Sequence, residues 1–358
     1  MLLKIDKSKT NPLISAYQED NIKKFKQLIE SGESVNCLDE DDLPLIYTII
    51  ENKNKFTDNK LFFDEILSQD VILDPYGKSK VFLNAALKKK DIYYMEKLLQ
   101  KGINPNGYKG MKPPILSAIK NKDFDKIKLL LENNANINKI KYNRLNVAST
   151  LFNQYRDQDE LTKVMKLFIE HGLDLNEKST STHQAIHAFA RSCDDIDLFN
   201  LMIKNGSKVN ATDQHGVTPL IVAILVDNIE CAKILIENGA SVNHQNDKGI
   251  SCLMYLAQTY GRVSSKEIMN IMLEKNADIF AVDLEGNNFA HYLFNEFTNN
   301  TKDFHDNDHV LHLIKKNKKL LSMKNKSGLK PIDIVKKNKD TNLYQKLENT
   351  FSDCRSDL

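Results

Sequence analysis

His183 and His187 stand four residues apart, which on a helix puts two imidazoles on one face at the spacing of a helical zinc site. The Glu that would turn such a pair into a metalloprotease motif is missing. A denser group follows in His305, His309 and His312, with Asp306 and Asp308 beside them. In a helix the three imidazoles share a face and would offer three ligands to zinc. The surrounding run, 298–308, is rich in Asn and Asp and reads equally as a loop, so neither group is taken as a metal site and no cofactor is expected. Acidic pairs such as Asp41-Asp42 and Asp194-Asp195 fall where helix starts or loop tips are expected, and carboxylates are favoured near the positive end of a helix dipole. The chain carries no Gly-x-Ser-x-Gly, Walker A or Gly-x-Gly-x-x-Gly run. With no assembled nucleophile and base, the expectation is a chain that is not an enzyme.

Composition narrows the partners. The 358 residues hold 50 basic and 48 acidic side chains, a net charge of +2, so no overall field draws the chain to nucleic acid or anionic lipid. Only five of the basic residues are Arg (144, 156, 191, 262 and 355). Arg is the side chain that forks onto bases and phosphates, which argues further against nucleic-acid readout. The basic runs Lys88–Lys90 and 315–319 read as solvated helix ends. Charges interrupt the N-terminus where a signal peptide needs an apolar core, and no stretch reaches the ~18 apolar residues of a membrane span. Five scattered Cys without a Cys-x-x-Cys suit reduced thiols. These features predict a soluble, cytoplasmic monomer that binds neither membrane nor nucleic acid.

The elements that must carry any site come from a recurring phrase. An apolar helix end is followed by Gly or Asn, a short gap, then an apolar residue and Asn. It reads Leu28-Ile29-Glu30-Ser31-Gly32-Glu33-Ser34-Val35-Asn36, returns in Asn205-Gly206-Ser207-Lys208-Val209-Asn210, and again in Asn238-Gly239-Ala240-Ser241-Val242-Asn243. Counted from Asn36, successive anchors lie 38, 32, 32, 38, 34, 33, 37 and 41 residues apart. A period near 33 is that of a helical solenoid. Units are expected to end near 36, 74, 106, 138, 176, 210, 243, 280, 321 and 347, giving an array over 1–348 and a polar tail over 349–358. The tail's Ser356-Asp357-Leu358 matches the short terminus that PDZ domains read, a pattern common by chance.

The unit Asp213-Gln214-His215-Gly216-Val217-Thr218-Pro219-Leu220-Ile221-Val222-Ala223, continuing to Asn243, resembles the ankyrin repeat, D-x-x-G-x-T-P-L-x-x-A followed by a second helix and G-A-x-V-N. The resemblance implies an all-α repeat solenoid of helix-turn-helix units joined by β-hairpin-like fingers. Within the unit, Thr218 suits a helix cap and Pro219 the first turn. Ala223 and Ala232 suit close helix pairing, and Gly239 a left-handed helix end. Degenerate openings recur at Asn11-Pro12-Leu13, Leu43-Pro44-Leu45, Pro113-Pro114-Ile115 and Lys330-Pro331-Ile332. Extra residues are expected between the paired helices at 51–64, 154–160, 258–265 and 299–308. Gln184-Ala185-Ile186-His187 and Asn288-Phe289-Ala290-His291 fall on the family's T-P-L-H, which implies that His187 and His291 bond neighbouring fingers.

The same resemblance implies protein recognition on a concave face of finger tips and first helices. Aromatic and Arg anchors concentrate binding energy. The candidates are Tyr76, Tyr108, Lys109, Tyr142, Arg144, Gln214 and His215 on fingers, and Tyr47, Phe152, Tyr155, Tyr255, Tyr260, Tyr292 and Phe294 on or beside first helices. For every aromatic among them, core packing is the competing role. Lys- and Asn-rich chains of this kind resemble effectors of intracellular bacteria that bind a host protein, with cytoplasmic or host-cytoplasmic location. Alternatives are an inhibitor or immunity protein that masks a toxin, and an enzyme with an embedded metal site.

Overall fold

A computed structural model describes residues 11–51, 59–73, 83, 86–107, 112–138, 140, 146–179, 183–192, 195–259, 265–299, 308–337, 345 and 347–348. The chain divides into two compact units, Met1–Tyr142 and Asn143–Leu358. The first carries α1 (Pro12–Gln18), α2 (Ile22–Glu30), α3 (Leu45–Glu51), α4 (Asn59–Leu67), α5 (Tyr93–Gln100), α6 (Pro114–Lys120) and α7 (Phe124–Glu132). The second carries α8 (Val147–Gln154), α9 (Gln158–Glu170), α10 (Ala185–Ser192), α11 (Ile196–Lys204), α12 (Pro219–Leu225) and α13 (Ile229–Glu237). It continues through α14 (Cys252–Gln258), α15 (Ser265–Glu274), α16 (Phe289–Asn299), α17 (Asp308–Lys316), α18 (Lys319–Ser322) and α19 (Pro331–Lys337). The solenoid of paired helices is therefore present in both units.

Local chemistry explains where each helix starts and stops. Thr218 caps α12 by accepting from the Ile221 N–H, and Pro219 occupies the first helical position. The degenerate openings behave alike: Asn11 accepts from the Leu13 N–H, and helices begin at Pro12, Leu45, Pro114 and Pro331. Asn228 caps α13 through the Cys231 N–H at 3.2 Å. Second helices end on a residue of positive φ, where the chain must reverse. Gly206 and Gly239 serve at 88° and 86°, and Asn134 and Asn276 take the same position at 59° and 60°. Asn is the side chain that tolerates this region best after Gly, which accounts for the Gly-or-Asn choice in the phrase.

The core lies between paired helices and between neighbouring pairs. Leu220, Ile224, Leu235 and Ile236 are buried, and Ala223 and Ala232 are fully enclosed where α12 and α13 approach. Each fully buried Leu or Ile contributes roughly 1.5–3 kcal/mol of transfer free energy. The extra residues at 154–160 do not form a loop. α8 ends at Gln154 and α9 opens at Gln158, so the insertion extends a second helix to 13 residues where α11 and α13 have 9. Asp157 caps the added turn through the Glu160 N–H at 2.8 Å. The other three expected insertions fall largely outside the described residues.

In four of the phrases the closing Asn clips one repeat to the next. Asn210 donates to the Gly239 carbonyl at 3.0 Å and accepts from the Ser241 N–H at 2.8 Å. Asn176 does the same with Gly206 and Lys208, Asn243 with Asn276 and Asp278, and Asn36 with Asp70 and Ile72. A primary amide supplies the required donor and acceptor on one short stem, which Asp cannot do when ionised. In three of these four clips the accepting carbonyl belongs to the positive-φ residue, so the two fixed positions of the phrase act together.

Candidate protein-binding surface

Among the described residues, five fingers are each folded around a single Asp or Asn. Asp213 Oδ1 accepts from the His215 and Val217 N–H groups at 2.8 and 2.9 Å. Asn246 does so from Lys248 and Ile250, Asp283 from Glu285 and Asn287, Asn325 from Ser327 and Leu329, and Asp39 from Asp41 and Leu43. This is the Asx-turn, in which a short side chain replaces the backbone partner. Single antiparallel bridges close the loops at Leu38–Pro44, Gln245–Ser251 and Val282–Asn288.

The remaining oxygen or amide of the finger residue reaches the first helix nine residues later. Thr48 Oγ1 donates to Asp39 at 2.6 Å, Asn246 Nδ2 to the Tyr255 hydroxyl at 2.7 Å, and the Tyr292 hydroxyl to Asp283 at 2.7 Å. Burial and the Asp283 carboxylate hold the Tyr292 phenol well above its ordinary pKa. At Asp213 the corresponding position is Val222, which has no polar group. His183 of the preceding repeat takes the place, with Nε2 3.5 Å from Asp213 Oδ2.

Successive tips are stacked through their backbones. The carbonyls of His215, Lys248 and Glu285 accept from the N–H groups of Asp247, Leu284 and Lys326 at 3.2, 2.9 and 2.8 Å. The approach is tight at Gly249, where a Cβ would lie 2.9 Å from the Leu284 nitrogen. His187 and His291 brace the row from beneath, as their place in the phrase implies. Nε2 of each donates to the next finger, to Val217 O at 3.2 Å and Leu329 O at 3.1 Å, while Nδ1 of His187 accepts from the Gln184 N–H and Nδ1 of His291 lies against the Asn288 N–H and, at 2.8 Å, its Oδ1. Burial pushes both imidazoles below their ordinary pKa. His183 and His187, at helical zinc spacing, are thus turned to separate protein acceptors. Among the described residues no His, Cys, Asp and Glu group has a metal-holding geometry.

The candidate anchors divide into four sets. Gln214 and His215 are exposed on a tip. Tyr47, Tyr255 and Tyr292 are half-buried, and the last two spend their hydroxyls on the fingers. Phe152, Tyr155 and Phe294 correct the expectation of surface anchors: at 2%, 4% and 0% exposure they fill the spaces between helices. An aromatic at the inward position of a first helix has more apolar area to bury there than any finger contact would replace. Tyr76, Tyr108, Lys109, Tyr142, Arg144 and Tyr260 lie outside the described residues, as do His305 and Asp306.

Sequence reasoning passes over two groups. Val282 and Leu284 on one finger are 41% and 58% exposed, an apolar pair that alternation along a short extended segment could have shown. Arg156 and Arg191 are the two arginines among the described residues, and both line one cavity. Their scarcity in a Lys-rich chain was the available signal.

Residues 186–283 match the family described as ankyrin repeats (3 copies). Among solved structures, the ankyrin repeat domain of Bcl-3, titled a unique member of the IkappaB protein family, is similar with a TM-score of 0.50 and 18% identity. The match covers 58% of this chain and 92% of that one, and at this identity it speaks to the fold. No curated protein matches by sequence. Ankyrin repeats generally mediate protein–protein interaction, and the fold is typically a non-enzymatic scaffold. Among the described residues no helix is long and apolar enough to cross a membrane. With the Asx-built fingers, the Asn clips and the family match in agreement, residues 186–283 are ankyrin repeats, and the fold of the chain is that of an ankyrin-type repeat solenoid.

Proposed function

We propose that the chain is a non-enzymatic scaffold that binds a partner protein along the fingers and first helices of residues 143–358. The observation that carries this reading is the stacked finger row. Its backbones are fixed by Asx turns and tip-to-tip hydrogen bonds, while Gln214, His215, Val282 and Leu284 stand exposed along it. A preorganised surface spends little free energy on ordering when a partner docks. The exposed Leu284 and Val282 supply apolar contact, and the polar tips supply register. The Lys- and Asn-rich composition favours a bacterial effector that acts on a host protein over an inhibitor or immunity protein with the same physical task.

Affinity capture with the whole chain, from a host-cell lysate and from the organism of origin, tests the reading. A stoichiometric host partner, weakened about tenfold or more by Leu284→Asp with Gln214→Ala, is the expected result. A partner held equally by that variant removes the fingers from the interface. A partner found in the organism of origin alone replaces the effector setting with the inhibitor setting.

A further inference from the structure

Within residues 143–358 a cavity of about 430 Å³ opens between the first helices α8 and α10. That size falls in the range of sites that hold a ligand or a peptide side chain. Ser149, Asn153 and Arg156 face it from α8 and the turn after it, and Arg191 and Ser192 from the last turn of α10. Ser179 closes one side, and Phe152 forms the floor, edge-to-face on Phe189 at 6.5 Å.

The charge is one-sided. No carboxylate lines the cavity among the described residues, and neither guanidinium is ion-paired there. Among the described residues, the acids next to these segments are spent elsewhere. Asp157 caps α9 at the Glu160 N–H, and Asp195 caps α11 and accepts from Thr162 Oγ1 at 2.6 Å. Asp213 is occupied by two backbone N–H groups and by His183, which also lines the cavity. His187 is turned to Val217 O. Among the described residues, the two Arg thus present planar forks without an ion-pair partner over a rim of hydroxyls and one amide. Arg forks match carboxylates in a bidentate geometry that Lys cannot reproduce.

Resting on the protein-binding reading, we infer that this groove receives an acidic side chain from an extended segment of the partner protein, clamped by Arg156 and Arg191. Ser149, Asn153, Ser179 and Ser192 set its orientation. A free inorganic anion would satisfy the same forks, and the test separates the two sources.

The probe is a labelled peptide of alternating Glu and Ser, titrated against the full chain by fluorescence anisotropy beside its Gln-for-Glu counterpart. The Glu peptide should bind, weaken as salt rises, and bind about tenfold or more tighter than the Gln peptide. The double variant Arg156→Gln/Arg191→Gln should lose about tenfold or more for the Glu peptide, and Arg156→Lys/Arg191→Lys should fall between. Thermal unfolding of both variants should match the parent chain, since both guanidiniums are exposed. Equal binding of the two peptides, or a Gln variant that binds the Glu peptide as the parent does, overturns the inference. So does inorganic phosphate saturating the site while the Glu peptide fails to compete. If a captured partner tolerates the double Gln variant, the groove assignment fails while the finger interface stands. If finger variants release no partner yet the Glu peptide still binds, the finger interface fails while the groove stands.

Discussion

The two units couple their repeats by different physics. In residues 11–138 the Asn36 clip and the Asp39 finger are accompanied by a large aromatic cluster. Phe62 packs edge-to-face on Tyr17 and Phe25 at 5.2 and 5.1 Å, and Phe63 on Tyr94 at 4.9 Å. One buried amide, Asn59, threads this cluster, accepting from the Tyr17 hydroxyl at 2.8 Å and donating to Ile49 O. In residues 146–337 directional clips to backbone dominate: three Asn rungs, two His braces and stacked Asx fingers. The polar consensus letters of the repeat, its Asn, His and finger Asp, are therefore those that bond to backbone, which any neighbour offers. Where they are lost, side-chain volume takes over, and each contact becomes particular to its neighbour.

The largest effect expected from this difference is at Phe62, 1% exposed at the centre of the N-terminal cluster. Phe62→Ala should cost about 3–5 kcal/mol through lost transfer energy and the cavity left behind. Hydrogen exchange resolved by peptide should show deprotection across α1 to α4 and little change in residues 146–337. Deprotection spread evenly over both units would erase the contrast.

A clip should be weaker. Asn210 is exposed, and its removal leaves Gly239 O and the Ser241 N–H within reach of water. Asn210→Ala should therefore cost about 1 kcal/mol, read as a shift in the urea midpoint with little change in slope. Asn210→Asp keeps the acceptor and loses the donor, so it should recover part of that loss. A cost as large as that of Phe62→Ala would mean that the clips, and not the core, hold the central repeats together.

Much of the fold was legible in the sequence because its strongest signals are local. Thr218-Pro219, Gly239 and Asn243 each encode a cap, a reversal and a clip that depend on a few neighbouring backbone atoms. Spacing places extra residues at 154–160 between the paired helices without saying whether they are helical. Asp157, Asp159 and Glu160 at a helix start were the available cue. The candidate site was less legible. Phe152 and Tyr155 stand three residues apart at the end of α8, and residue type alone does not reveal that both face the core. Arg156 and Arg191 are 35 residues apart, and no local pattern joins them until α8 and α10 are set side by side.

The smallest predicted effect separates the units by pH. All nine His belong to the segment 143–358. Burial lowers the pKa of His187 and His291, and the nearby Asp213 in one case and Asp283 and Asp333 in the other offset only part of it. The His187 ring must stay neutral, because Nδ1 accepts the Gln184 N–H and a proton there would set donor against donor, whereas at His291, whose Nδ1 also lies 2.8 Å from Asn288 Oδ1, burial is what disfavours the charged ring. In the unfolded chain both rings titrate near the ordinary value of about 6.5. Between that value and the lower folded ones, the unfolded state binds protons that the folded state does not, so stability falls as pH falls through this window. Above about 6.5 the contribution of these rings is fully present. Lowering the pH through this window should therefore speed hydrogen exchange in α10 and α16 before it does so in α1 to α4. His187→Gln/His291→Gln, which keeps a donor for Val217 and Leu329, should flatten the dependence. Acid sensitivity that persists in the double variant would place the titrating groups elsewhere in the second unit, and sensitivity shared equally by α1 to α4 would break the contrast between the two modes of coupling.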